Sequence, residues 1–369
     1  MIDDHVHPFS LAFEPLDLDS LSLDVGVDDD AGARHAVVGP TRLSSAMLRA
    51  RLSAYLGCAP GEVETARDER ARESWPEHVR GLFADSATTA LVMDAGIAGL
   101  PPGVAKQYEE LAGVRVWELA RLEPLVDRMI GEGASAAEII AAVNGFMEDQ
   151  ARAGAVGFKT VLAYRTGLAV DPRVSLDDAE RSLRDDRAAG IPVRRAAKPL
   201  RDLVFRTALA RCADLGRPIQ VHTGFGDSEI RLAESDPLLL EEVLRTPEGS
   251  SADVVLIHAS YPWHEQAGWL AGVHPRLWTE YSLCNLFSPA TTADRLLRLL
   301  DIAPAGRVTL GSDGHGMPES LWFGCVVLRD AWHEVRLRLR GSVDDGWLDD
   351  VEERIFERNA RELYRLPAA

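Results

Sequence analysis

Eight short runs rich in Val, Ile and Leu recur along the chain, most of them separated by longer stretches with helical amphipathic spacing, and this alternation is the strongest constraint on its fold. The runs fall at 2–6, 90–93, 114–119, 156–162, 219–222, 254–258, 277–281 and 308–310. Helical patterns between them include 136–152, 200–215 and 292–301, and a last one covers 348–364. Eight βα units argue for the α/β class and a closed (β/α)8 TIM-like barrel over an open doubly wound sheet. No GxGxxG turn follows the first run, which removes the usual mark of a dinucleotide-binding sheet.

The 369 residues exceed the roughly 250 of a plain barrel, so insertions are expected. We expect a single barrel domain over 1–369, with a helical insertion at 10–86 lying over the active face. Residues 171–199, rich in Arg and Asp, form a second elaboration after the fourth run. Both follow strand C-termini, the end of a barrel that carries chemistry.

Composition narrows the partners. The net charge of -18 disfavours phosphate backbones and anionic membranes, leaving a small-molecule substrate as the expected partner and a homodimer as a base-rate expectation. Four cysteines, Cys58, Cys212, Cys284 and Cys325, form no CxxC pair and read as reduced thiols of a cytoplasmic protein. The first residues lack the pattern of a signal peptide, and no stretch approaches the roughly 18 apolar residues of a membrane span. Only Lys106, Lys159 and Lys198 among the 40 basic residues are lysines, so Lys159, inside an apolar run, asks for a reason.

The chemistry-bearing residues sit where the runs end. His5 and His7 are two apart in the first run and share a face, so both can turn to one ion, although a lone His-x-His pair is equally compatible with two polar histidines at a strand end. His222, His258 and Asp313 close the fifth, sixth and eighth runs, and the C-terminal ends of barrel strands meet at one rim. Convergence of all five makes a divalent metal site the better reading, with Zn first and Mn or Fe as alternatives, as one or two ions. Because imidazole must be neutral to ligate, metal affinity is expected to fall below roughly pH 6.

This order of His-x-His, His, His and Asp resembles the amidohydrolase superfamily. The stretches Gly157-Phe158-Lys159-Thr160, Val221-His222-Thr223-Gly224, Ile257-His258-Ala259-Ser260-Tyr261-Pro262 and Gly311-Ser312-Asp313-Gly314-His315 are similar to its amidohydrolase-2 group, including the barrel half of fungal and plant proteins fused to a glutamine-synthetase-like part. The resemblance implies that His5, His7, His222 and Asp313 are metal ligands and that Asp313 also moves the proton of the attacking water. It implies that His258 is a catalytic group or a second-metal ligand. Lys159 would be a carboxylated bridge between two metals, an ion-pair partner or a substrate handle. Tyr164, Arg165, Glu280 and His315 are candidate substrate contacts, Arg165 because its planar fork matches a carboxylate. Trp263 and Trp322 read as packing, and the Asp28–Asp30 run as a solvated turn.

Three activities stay open on these residues. A metal-dependent hydrolase acting on a C–N bond of a carboxylate-bearing substrate comes first. A non-oxidative decarboxylase on the same barrel and a catalytically silent binding or regulatory barrel are the alternatives.

Overall fold

The computed structural model describes residues 1–18, 21, 39–97 and 104–367. Eight strands form it: β1 (Ile2–Val6), β2 (Ala90–Asp94), β3 (Arg115–Arg121), β4 (Gly157–Thr160), β5 (Ile219–His222), β6 (Val254–Ile257), β7 (Leu277–Tyr281) and β8 (Val308–Leu310). They pair in parallel in chain order, with registers such as Leu119 opposite Gly157 and His222 opposite Ile257. Seven of the eight strands are buried along their whole length, which is why they read as continuous apolar runs rather than as alternating ones.

The ring closes just beyond β8. Asp313 N–H donates to the His5 carbonyl at 2.8 Å and His7 N–H to that of Gly314 at 2.9 Å. Register is irregular between Asp3 and Val6, and there the Asp3 carboxyl takes Ser312 N–H at 2.7 Å. Burial pushes the Asp3 carboxyl up to about 7. The closure therefore ties both ends of the His5–His7 segment to the Asp313 loop.

Several element ends differ from the sequence expectation, each for a local reason. β4 stops at Thr160, whose hydroxyl accepts Leu162 N–H at 3.2 Å and starts the turn Leu162–Tyr164. β6 stops before His258, because His258, Ala259 and Ser260 all have positive φ (66°, 48° and 52°). The last helical stretch divides into Asp345–Glu353, a wider turn Arg354–Arg358 and Asn359–Tyr364.

Helices Leu43–Leu56, Val63–Glu73 and Trp75–Asp85 lie between β1 and β2. Val79 and Phe83 of the third pack with Val6, Leu91 and Met93, so this helix lies against the barrel strands. The first two pack through Leu48, Leu52 and Val63 near Trp322, Phe323 and Val327 of the long helix Pro318–Leu339. Trp322 is thus a packing residue, its Nε1–H donating to Asp85 at 2.7 Å. Arg67 Nε donates to Glu319 Oε1 at 2.6 Å, and His78 Nε2 stands 2.7 Å from the same oxygen, all three side chains buried. Asp28–Asp30 and His35 lie outside the described residues. The 171–199 elaboration holds the helix Leu176–Ala188, capped by Ser175, and brings Arg194 to the cavity described below. Among the described residues no helix is long and apolar enough to cross a membrane.

Candidate metal centre

At the C-terminal ends of the strands lies a cavity of about 800 Å³. His7, His222, His258, Asp313 and Lys159 line its floor, and His5 is fully buried beneath them. His5 Nε2 and His7 Nε2 stand 3.1 and 3.3 Å from one atom, Asp313 Oδ1. One ligand atom from each of these three residues lies within 4.8 Å of the other two. Asp313 reaches this position with φ of 57°, a left-handed conformation that is uncommon outside glycine and costs energy unless the surroundings hold it.

The hydrogen atoms available do not satisfy this cluster. His7 Nδ1 is 3.0 Å from the Asp94 carbonyl oxygen, which can only accept, so the ring proton sits on Nδ1 and Nε2 is a bare lone pair. Lys159 Nζ, a donor, is 3.2 Å from His5 Nε2 and turns that nitrogen into an acceptor as well. In the neutral tautomers His7 Nε2 is a free lone pair, His5 Nε2 shares its own with the Lys159 ammonium, and both face a buried carboxylate oxygen that has no hydrogen-bond partner. Such a convergence of acceptors fits a cation, and the imidazole and carboxylate set suits a divalent transition metal.

The histidines are prepared for that state. Burial, reinforced by the Lys159 charge, lowers the pKa of His5 to about 4, and burial carries His222 and His258 well below the ordinary imidazole value. All three are neutral near pH 7. Burial also lowers Lys159 to about 8, with Arg121 assisting and Asp94 opposing.

His222 and His258 form a second pair, His258 Nε2 lying 3.0 Å from His222 Nδ1. The His5 and His258 rings are 5.3 Å apart, so the four histidines are one cluster. Tyr164 packs edge-on against His222 at 4.5 Å, and its hydroxyl accepts Asp227 N–H at 3.2 Å. Gly226 lies so close that a Cβ there would overlap the Tyr164 hydroxyl. His315 lines the cavity, stacked on Phe287, with Nδ1 3.1 Å from the Asp313 carbonyl.

One candidate substrate contact needs correction, and a second is partly engaged within the protein. Glu280 is fully buried and does not line the cavity: its Oε2 accepts His258 N–H at 3.0 Å and the Ser282 hydroxyl at 2.7 Å, so it supports His258 from behind. Arg165 does line the cavity, but one edge of its fork is taken, Nε lying 3.0 Å and Nη2 2.9 Å from Asp127 Oδ2. Asp127 is also held by Arg201 at 2.7 Å, while Nη1 of Arg165 is buried without a protein partner. Trp263 is not among the lining residues.

Sequence reasoning passed over Asp94 and Arg121, which end β2 and β3 and pair at 3.0 Å beside Lys159 and His7. The strand-end rule that found His222 would have found Asp94 had its run been extended by one residue. Ser282 and the Phe225 carbonyl carry no such signal, because each acts through a loop conformation.

The amidohydrolase family model matches residues 2–366, and the chain belongs to that family. Over 192 residues it is 36% identical to protein fluG of Emericella nidulans, a match covering 49% of this chain and 22% of that protein. The match thus spans far less than two thirds of this curated relative. A protein described as a metal-dependent hydrolase from Lactobacillus casei ATCC 334 superimposes with a TM-score of 0.85 at 24% identity, over 99% of this chain and 94% of that one. A uronate isomerase from Bacillus halodurans C-125 superimposes with a TM-score of 0.68 at 14% identity, over 99% and 93%. At these identities the likeness establishes the shared barrel fold.

Proposed function

We propose that the chain is a metal-dependent hydrolase that cleaves a C–N bond, of the amide kind, in a small carboxylate-bearing substrate. The observation that carries the reading is the meeting of one ligand atom each from His5, His7 and Asp313 at a cavity floor, where Asp313 Oδ1 is buried without a hydrogen-bond partner. His5, His7, Asp313 and His222 would hold the ion, Zn by the chemistry of the donor set. When bound, a divalent cation supplies Lewis acidity, acidifying water and polarising a carbonyl.

The chain's own groups supply the rest. Asp313 Oδ1, held without a donor, is the base that accepts the proton of the attacking water and passes it to the leaving nitrogen. His258 lines the cavity floor beside those ligands, placed to ligate that ion or a second one. Arg165, with Lys159 below, offers positive charge to a carboxylate in the cavity. Tyr164 and His315 bound the space in which the scissile bond would sit.

The test begins with elemental analysis of native protein, followed by a panel of small amides bearing a free carboxylate. The same panel carries aromatic acids and a hexuronate, since uronate isomerase shares the fold. Amine release that disappears in Asp313→Asn is the expected result. Carbon dioxide release without amine, or ketose formation, would replace the hydrolytic reading, and protein that takes up no metal would remove it. Intact mass under native conditions decides whether Lys159 carries an added carbon dioxide.

A further inference from the structure

Beyond the ligating groups, the hydrogen-bond chain behind His258 has a direction that can be read from its donors alone. Glu280 Oε2 accepts His258 backbone N–H at 3.0 Å, a bond in which the nitrogen can only donate. An oxygen that also carried its own proton would be a poor partner for a second donor, so Oε2 is bare whatever the charge of Glu280. Any proton on this carboxyl sits on Oε1, which has no partner. The Ser282 hydroxyl, 2.7 Å away, then gives its single hydrogen to Oε2. Ser282 Oγ has nothing left to donate to His258 Nδ1 at 2.8 Å, so Nδ1 must be the donor and His258 Nε2 is bare.

The opposite ring is fixed from its other side. His222 Nε2 lies 3.1 Å from the Phe225 carbonyl oxygen, an acceptor, so Nε2 carries the proton and Nδ1 is bare. His222 Nδ1 and His258 Nε2 are 3.0 Å apart. Two backbone or side-chain anchors on different loops therefore turn two lone pairs toward one point.

We propose that Ser282 and Glu280 are positioning residues which, together with the Phe225 carbonyl, hold the tautomers of His258 and His222 so that His258 Nε2 and His222 Nδ1 both present lone pairs to the cation site. The inference rests on the metal reading given above. It assigns to Glu280 and Ser282 a role in setting ring protonation rather than in touching substrate. The competing arrangement is an ordinary His–His hydrogen bond, with a proton on His258 Nε2 and the serine hydroxyl turned toward Nδ1. It would leave Glu280 Oε2 without the serine donor.

Long-range ¹H–¹⁵N correlation spectra of histidine-labelled protein loaded with Zn²⁺ read the tautomer directly, His258 being assigned by its loss in His258→Gln. The expected result is a protonated Nδ1 and an unprotonated Nε2. Ser282→Ala should lose the Nδ1-protonated signature and weaken Zn²⁺ binding about tenfold or more in a chelator competition, as outer hydrogen-bond partners of metal-ligating histidines do. Ser282→Thr, which keeps the hydroxyl, should restore both. Thermal melts of the variants separate loss of the tautomer from loss of the fold. Zinc bound with the proton on His258 Nε2, or an unchanged tautomer in folded Ser282→Ala, overturns this inference alone. Failure of the protein to bind Zn²⁺ in calorimetry overturns it together with the metal reading.

Discussion

His7 Nε2 and Asp313 Oδ1 stand 3.3 Å apart, and in the neutral tautomer that the Asp94 carbonyl selects neither has a hydrogen to give the other. The Asp94 carbonyl fixes the proton of the neutral imidazole on the far nitrogen, and Asp313 Oδ1 is buried without a hydrogen-bond partner. The pair is a contact that only a third, positive partner makes favourable.

A divalent cation should therefore stabilise the fold. At zinc concentrations one hundred times the dissociation constant the folded state gains about 2.7 kcal/mol, read as a rise in Tm that a chelator reverses. Asp313→Asn should abolish the rise, since an amide offers neither the charge nor a second acceptor oxygen. Scanning calorimetry with and without zinc checks it.

Acid should act on the metal-free protein through His5. Its pKa is lowered from 6.5 to about 4 by burial and by Lys159, so between these values the unfolded chain holds a proton that the folded one lacks. Stability from this group is complete above about 6.5, declines as pH falls toward about 4 and is level below it, a loss on the order of 3 kcal/mol. His5→Gln should flatten that part of a urea-denaturation series.

Glu319 fastens the helices after β1 to the helix after β8. Against the push of burial, His78 and Arg67 hold its carboxyl below the usual range. Glu319→Ala leaves the Arg67 charge buried without its main partner, and should cost about 3–5 kcal/mol in urea denaturation. Arg67 also contacts Asp68 at 3.2 Å, so Arg67→Met, which leaves the buried Glu319 carboxylate and Asp68 without this cation, should cost at least as much.

Arg165→Ala should raise KM for a carboxylate-bearing substrate by about tenfold with a smaller change in kcat, the value of one charge-assisted hydrogen bond. Arg165→Lys should not restore it, because a lysine cannot hold Asp127 with one edge and offer another to substrate. Steady-state kinetics on the amide identified in the panel gives the measurement.

The barrel was legible because strands buried on both faces must be apolar throughout, and eight such runs leave little choice of architecture. His7, His222, His258 and Asp313 were legible because a polar residue at the end of such a run has only the rim to occupy, and His5 because it shares a strand face with His7. Glu280 misled for the same reason in reverse. It lies within a run, at a level where the barrel is filled, and its carboxyl is spent on His258 and Ser282. Arg165 was placed at the cavity by its position after β4, yet Asp127, from a different βα unit, takes one edge of its fork.

By itself the sequence determined the parallel barrel and which side chains reach its rim, because strand order and burial are encoded in local apolar pattern. What the tertiary structure decided was how those groups meet: that His5 and His7 share one oxygen of Asp313, that the Asp94 and Phe225 carbonyls choose the ring protons, and that Glu280 supports rather than binds. Hydrogen-bond partners come from residues far apart in the chain, and their direction depends on ångström-scale distances that no spacing along a strand contains.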